Sequence, residues 1–245
     1  MTNTIAQTAV DTERVQAILE TDEIIPERPN ARIPQSLRGE ITFEHVAFRY
    51  DSEAPVLRDV SFRIEPGQFV GIVGPTGSGK STIISLIPRF YDPTAGKILI
   101  DGVDIRDYQL QGLRRQFGFV PQDTVLFRGT VRENIAYGRP DATAEEITRA
   151  LIRNSPVLIL DEPTAALDTE AEERVIEALE RLMKGRTVVM IAHRLATLRA
   201  ADKVIVLKDG SVTEEGTHDH LLSLGGVYSE LHRAQEDARS VEAVG

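Results

Sequence analysis

The 245-residue chain contains no cysteine. Disulfides and cysteine-ligated zinc are therefore excluded, which fits a reducing compartment. No stretch approaches the roughly 18 consecutive apolar residues of a membrane span. The N-terminus, Met1 to Gln7, has neither a basic n-region nor a long apolar core, so it does not read as a secretory signal. Taken alone, the sequence predicts a soluble, cytoplasmic polypeptide. Basic charge is scarce: 28 Lys and Arg stand against 38 Asp and Glu, for a net charge of −10, with no Lys/Arg-rich run. That argues against nucleic acid as the main partner. Internal repeats and low-complexity segments are absent too. What is present is ordinary for a globular protein, 41% hydrophobic and 27% charged, and long enough for one large α/β domain.

One stretch organises the rest. Gly74-Pro75-Thr76-Gly77-Ser78-Gly79-Lys80-Ser81-Thr82 fits the P-loop pattern G-x-x-x-x-G-K-[ST]. Glycines let the backbone wrap a phosphate without Cβ clashes, so several N–H groups converge on one anion. The loop feeds a helix whose N-terminus adds partial positive charge. In such a loop Lys80 reaches the β- and γ-phosphates and the Ser81 hydroxyl ligates Mg²⁺. The flanks agree: 68–73 is apolar and β-prone, and 81–87 reads as a helix stopped by Pro88. A Gly/Ser-rich surface loop, the bland alternative, lacks such flanks.

Along the chain, 9–20 predicts a short amphipathic helix, and Pro26, Pro29 and Pro34 mark an extended linker to about Gly39. Ile41 to Tyr50 predicts a strand whose apolar parity changes between Phe43 and Val46, the mark of a bulge. Strands are further expected at 60–64, 97–100, 117–120, 157–160, 187–191, 203–207 and 211–215. Thr143 to Glu146 and Thr169 to Glu172 are capping boxes that open helices. The second helix is expected to bury Leu182 and Met183 and to end at Gly185. A last amphipathic helix spans about 227–241. The expected fold is α/β: a P-loop core with a parallel central sheet, helices on both faces and an N-terminal antiparallel β subdomain.

Further chemistry falls at predicted strand ends, where open α/β sheets bind ligands. The apolar strand at 157–160 leads into Asp161 and Glu162. Asp161 suits second-shell or direct Mg²⁺ coordination, and Glu162 suits a base or a group that orients the attacking water. Helix caps are the plain alternative for such acids. Gln122 follows the strand at 117–120; its amide suits a water or Mg²⁺ contact. His193 follows the strand at 187–191 and suits a γ-phosphate contact. A satisfied polar group is the plain reading of both. Tyr50 suits a stacking platform for adenine, against an ordinary strand aromatic.

With these residues in hand, the chain resembles the ATP-binding domain of ABC transporters of the exporter type, from about residue 10 to 236. Phe48-Arg-Tyr50 resembles the A-loop, Gly74 to Thr82 the Walker A motif, Val120-Pro-Gln122 the Q-loop and Leu160-Asp-Glu-Pro163 the Walker B motif. Ala165-Ala-Leu-Asp168 resembles the D-loop, with Ala165 where serine is common, and Ile191-Ala-His193-Arg194 the H-loop. Gly129 to Ile135 and Glu214-Glu-Gly-Thr217 are typical of exporters. The resemblance implies ATP and Mg²⁺ as ligands, Glu162 as catalytic base and His193 as γ-phosphate sensor. It implies two partners, a transmembrane domain and a second nucleotide-binding domain, and a place at the inner face of the cell membrane. A soluble P-loop kinase or DNA-repair ATPase is disfavoured by Asp161-Glu162, His193 and the exporter-like linker.

The same resemblance exposes a gap. The signature Leu-Ser-Gly-Gly-Gln is missing, and only 39 positions separate Gln122 from Asp161. Family members place a helical subdomain there. Ala142 to Ile147 resembles its entry and Thr148 to Ile152 its exit, so the junction falls near 147–148. Leu222-Ser-Leu-Gly-Gly226 lies after the H-loop and lacks the pattern. The expected organisation is a helix and linker over 1–38, an ATP-binding domain over 39–236 and a polar tail over 237–245. The expected function is Mg-ATP binding in an exporter, with hydrolysis impaired. The alternative is a non-catalytic nucleotide-binding remnant of a longer transporter gene.

Overall fold

In a computed structural model of the chain, the residues described are 25–51, 54–122, 130, 133, 143, 155–162, 182–192 and 195–242. The expected helices at 9–20 and 143–153, the junction, the D-loop, most of the helix behind Thr169 and His193 lie outside them.

The first sheet is antiparallel. β1 (Ile41–Phe48), β2 (Leu57–Ile64), β4 (Ala95–Ile100) and β5 (Val103–Asp104) lie in the order β2-β1-β4-β5. The parity change in β1 is a bulge: its register against β2 shifts between Phe43 and Val46, with His45 at φ 51°. The extra residue lets Ile41, Phe43, Val46 and Phe48 all face the core. β1 ends at Phe48, so Tyr50 lies beyond the strand. β2 and β4 start earlier than their apolar alternation indicates, because Leu57 pairs with Phe48 and Ala95 with Ala47 past the bulge.

The second sheet carries β3 (Phe69–Val73), β6 (Phe117–Val120), β7 (Val157–Asp161), β8 (Thr187–Ile191), β9 (Lys203–Lys208) and β10 (Ser211–Gly216). Its order is β10-β9-β3-β8-β7-β6, and every pairing is parallel except β10 on β9. Every residue of β3 and β8 is buried. These strands read as continuous apolar runs because both faces of the sheet are covered. On one face sit α1 (Lys80–Leu86) and the antiparallel sheet, sharing a core that includes Ile83, Ile84, Leu86, Phe43 and Ile98. The other face is covered by a 3-10 segment (Leu195–Ala200) and the final helices, with Leu195, Leu198, Leu221 and Tyr228 in one cluster.

Between β5 and β6 in the chain, α2 (Leu110–Arg114) follows a 3-10 turn (Ile105–Asp107). Two further helices end the chain, α3 (His218–Leu224) and α4 (Val227–Glu242). α3 escaped the sequence reading although its ends are marked. Thr217 accepts from His220 N, and Gly225 closes the helix at φ 66°. Leu182 is 49% exposed rather than buried, whereas Met183 packs against the second core cluster. Thr130 and Glu133 exchange the two hydrogen bonds of a further capping box, at 2.7 and 3.2 Å.

The proline-rich segment before β1 is bound along its length. Asp101, at the turn between β4 and β5, accepts from Arg38 N, Gly39 N and Glu40 N at 2.6, 3.1 and 2.9 Å. Glu27 accepts from Leu110 N at 2.7 Å, capping α2. Arg32 exchanges backbone bonds with Asp107 and Gln109. The segment is a strap against the domain rather than a free tether.

α3 and α4 meet at a polar contact inside an apolar cluster. His218 Nδ1 shares a 2.7 Å hydrogen bond with Tyr228 OH, and both residues are buried. Burial and the neighbouring His232 hold the His218 pKa below its ordinary value. A folded-state pKa below the unfolded one makes the unfolded chain bind more protons as pH falls. His218 thus contributes stability that is fully present above its unfolded pKa of about 6.5 and is lost as pH falls below that. Urea midpoints at pH 7.5 and 5.5 should therefore differ less in His218→Gln than in the parent chain. An equal fall in both would assign the acid sensitivity to other groups.

Candidate functional site

The parallel sheet decides which residues meet. β3, β8, β7 and β6 are consecutive neighbours running the same way, so the segments leaving their C-terminal ends converge. These ends deliver Gly74, Ala192, Asp161-Glu162 and Gln122. β7 and β8 pair with Asp161 opposite Ile191, and Glu162 N donates to Ile191 O at 3.0 Å. β6 and β7 pair with Val120 opposite Leu160, which carries Gln122 up to Glu162. The Gln122 amide nitrogen donates to Glu162 Oε2 at 2.9 Å.

The loop from Gly74 to Gly79 is shaped by positions that only glycine fills. A Cβ at Gly74 (φ 153°) would lie 2.1 Å from Leu207 O and 2.8 Å from Ser78 Oγ. A Cβ at Gly79 (φ 101°) would lie 2.6 Å from Leu57 Cδ2. Between these pinned ends Pro75, Thr76 and Gly77 are exposed. Lys80 Nζ turns back and donates to Gly74 O at 2.9 Å and Pro75 O at 3.0 Å, curling the loop around its own first turn. Ser78 Oγ is buried and has no partner among the described residues. A buried hydroxyl without a partner is unfavourable, so this Oγ is open to a hydrogen bond with a polar ligand.

Ser81, next on α1, is exposed, while Thr82 is 5% exposed and meets Tyr50 OH through its Oγ1 at 3.2 Å. That contact fixes the half-buried Tyr50 ring over the start of α1. Phe48 and Tyr91 hold the ring edge-on, with centroids 4.7 and 5.2 Å away.

Burial dominates the electrostatics of the cluster. Burial and the charge of Glu162 push the Asp161 pKa up, with Lys80 opposing. Burial pulls the Lys80 pKa down, against the carboxylates of Glu162 and Asp161. Asp161 is thus a partly desolvated carboxylate with Glu162 next to it and the Lys80 ammonium nearby. Glu162 holds φ 46°, an uncommon conformation for a non-glycine residue that turns its side chain toward Gln122.

A cleft of about 200 Å³ opens over this cluster. It is lined by Gly74, Pro75, Thr76, Lys80 and Glu162 together with Ala192, Leu195, Leu231 and Gln235. The structure therefore brings the predicted Gly74 to Lys80 loop, Glu162 and Gln122 together, with Tyr50 joined through Thr82. The α4 contribution went unread. The periodicity of 227–241 announces an amphipathic helix but not what it packs against.

Comparison with known proteins bears on the same stretch. A profile of the ABC transporter family matches residues 57–150. The chain is similar to an ATP-dependent lipid A-core flippase of Syntrophus aciditrophicus (strain SB), at 43% identity over 95% of this chain and 45% of that protein. It is similar to a putative multidrug export ATP-binding/permease protein of Bacillus subtilis (strain 168), at 39% identity over 95% of this chain and 47% of that protein. Among solved structures it matches a bacterial Atm1-family ABC exporter with ATP bound, at 36% identity and a TM-score of 0.80, over 95% of this chain and 48% of that one. The chain spans about half the length of these relatives. Both sequence alignments run over 274 positions, 29 more than the 245 residues of this chain. At least that many positions in each alignment therefore have no residue of this chain.

Proposed function

The chain belongs to the ABC transporter ATP-binding family, as a domain related to those of exporters, and from that membership we propose that it binds Mg-ATP on the Gly74 to Thr82 loop to serve a transmembrane partner. The observation that carries the reading is the loop itself. Lys80 curls it, glycines open it, and Ser78 Oγ sits buried without a partner at its base. A polyphosphate supplies acceptors for the N–H groups and hydroxyl of such a cradle.

The donors present fit a magnesium ion. Ser81, Asp161 and Gln122 would offer the oxygen ligands that a hard cation takes. When bound, the ion supplies neutralisation of charge on the phosphate oxygens. Lys80 leaves the Gly74 and Pro75 carbonyls for the β- and γ-phosphates. Tyr50 offers its ring to adenine. Glu162, held by Gln122, takes the proton of the attacking water or orients it, and His193 senses the γ-phosphate.

Coupling and turnover need more than this chain offers. The transmembrane domain and a second nucleotide-binding domain are the partners, at the inner face of the membrane. We place a deleted helical subdomain near 147–148. The support is the surplus of aligned positions in the relatives and the family match that stops at residue 150. Without that subdomain no signature sequence is available to close a facing site, so hydrolysis is impaired. A non-catalytic remnant of a longer transporter gene is the second reading, favoured by the same surplus.

Equilibrium titration with ATP and Mg²⁺ tests the reading. Lys80→Ala should weaken ATP by roughly 10- to 100-fold, the equivalent of one charge-assisted contact. Circular dichroism should show the variant folded. Unchanged affinity in the folded variant would sink the phosphate-cradle reading.

A further inference from the structure

Part of the cleft's lining comes from α4, and one residue of that helix is out of keeping with its position. Tyr228, Leu231 and Gln235 fall at i, i+3 and i+7, one face of the helix. Tyr228 is fully buried, and Leu231 packs against the same apolar cluster. Gln235 continues that face with an amide where an apolar side chain would suit the packing. Its Oε1 accepts from Leu195 N at 3.0 Å. Leu195 opens the 3-10 segment after β8, and its N–H is one of the orphan donors of a helical start. A backbone N–H requires an acceptor, so the amide oxygen faces it.

Both partners of this bond line the same cleft as Lys80 and Glu162. α4 is well placed to hold them. Glu214 caps its first turn, accepting from Val227 N at 2.5 Å and Tyr228 N at 3.1 Å. The Tyr228 hydroxyl ties it to His218. From that anchored end Gln235 lies two turns away, within reach of the segment leaving β8.

Resting on the ATP reading above, we propose that Gln235 is a positioning residue for the nucleotide cleft. By holding Leu195 it fixes the segment after β8 against the P-loop, and so sets the preference for ATP over ADP. The cleft it helps to line also holds Lys80 and Glu162, and a P-loop lysine meets the γ-phosphate that a diphosphate lacks. Displacing that lining weakens ATP and leaves ADP, held by the loop alone, unchanged.

The test is Gln235→Leu, which removes the acceptor at similar volume, with Gln235→Met as a second variant. Mg-ATP and Mg-ADP are titrated on the full chain, and amide hydrogen exchange is followed over 192–200. Loss of one hydrogen bond predicts ATP weakened about five-fold, ADP changed by less than about two-fold, and faster exchange at Leu195. Equal weakening of both nucleotides assigns Gln235 a scaffold role and overturns the inference. So does an unchanged ATP affinity, or unchanged exchange at Leu195. A parent chain that binds neither nucleotide overturns the ATP reading itself, and this inference with it.

Discussion

At saturating Mg-ATP the chain should hydrolyse nucleotide on the order of 10²–10⁵-fold more slowly than an intact relative assayed alike, the range spanned by losing an oxyanion donor or an arginine finger. Binding and turnover separate here because they draw on different groups. In the proposed reading, the P-loop and Tyr50 hold the ground state from one side. Stabilisation of charge on the γ-phosphate in the transition state needs donors from the opposite side. In the family a second domain brings its signature loop there. This chain passes from Gln122 to Asp161 in 39 positions and carries no Leu-Ser-Gly-Gly-Gln. Two copies facing each other therefore leave both sites open. Adding an intact nucleotide-binding domain should restore turnover at the P-loop of this chain, and Glu162→Gln here should remove what was restored. Turnover equal to that of the intact relative, by the chain alone, would show that the signature is dispensable. No hydrolysis even with the intact domain would favour the remnant reading.

The site was legible where chemistry constrains the backbone. Glycines at Gly74 and Gly79 occupy positions where a Cβ meets other atoms, so their spacing reports geometry directly. The ends of β3 and β7 were legible because a strand covered on both faces is an apolar run, and the residues that break the run mark its end. The bulge in β1 was legible because a parity change has one cheap structural solution. What escaped was set by tertiary contact. The prolines before β1 suggest a tether, yet Asp101 and Glu27 bind that segment through backbone N–H groups that any sequence would supply. The amphipathic pattern of α4 shows which face is buried but not that Gln235 reaches Leu195. Leu182 was assigned to a buried stripe by period alone, and period does not say how far the covering surface extends.

Arg89 is the sharpest case, and it carries the second large expected effect. Asp92→Ala should destabilise the chain by about 3–5 kcal/mol, the loss expected when a buried charge is left unpaired; Arg89 is that charge, while Asp92 keeps 31% of its side chain exposed. In sequence, Arg89 follows Pro88, and nothing in the pattern marks it as buried. In the structure it is 1% exposed, and it holds φ 56°. Its Nε and Nη2 donate to the two Asp92 carboxylate oxygens at 2.6 and 3.0 Å, and Nη2 also donates to Pro26 O at 2.9 Å. Nη1 has no partner among the described residues. Arg114 donates to Arg89 O at 2.7 Å, so a second cation stands close by. Removing Asp92 leaves a buried guanidinium facing one carbonyl and another cation, with no carboxylate. The Pro26 contact should loosen too, freeing the start of the strap. For a chain of this size the loss corresponds to a melting temperature lower by roughly 6–20 °C. Replacing both members, Arg89→Met with Asp92→Ala, should recover much of it, because an apolar side chain in that volume carries no charge to desolvate. The positive φ persists in the double variant, so recovery should fall short of complete. The coupling is read from the double-mutant cycle. A double variant no more stable than Asp92→Ala alone would show that Arg89 stabilises the fold through its packing rather than through its paired charge.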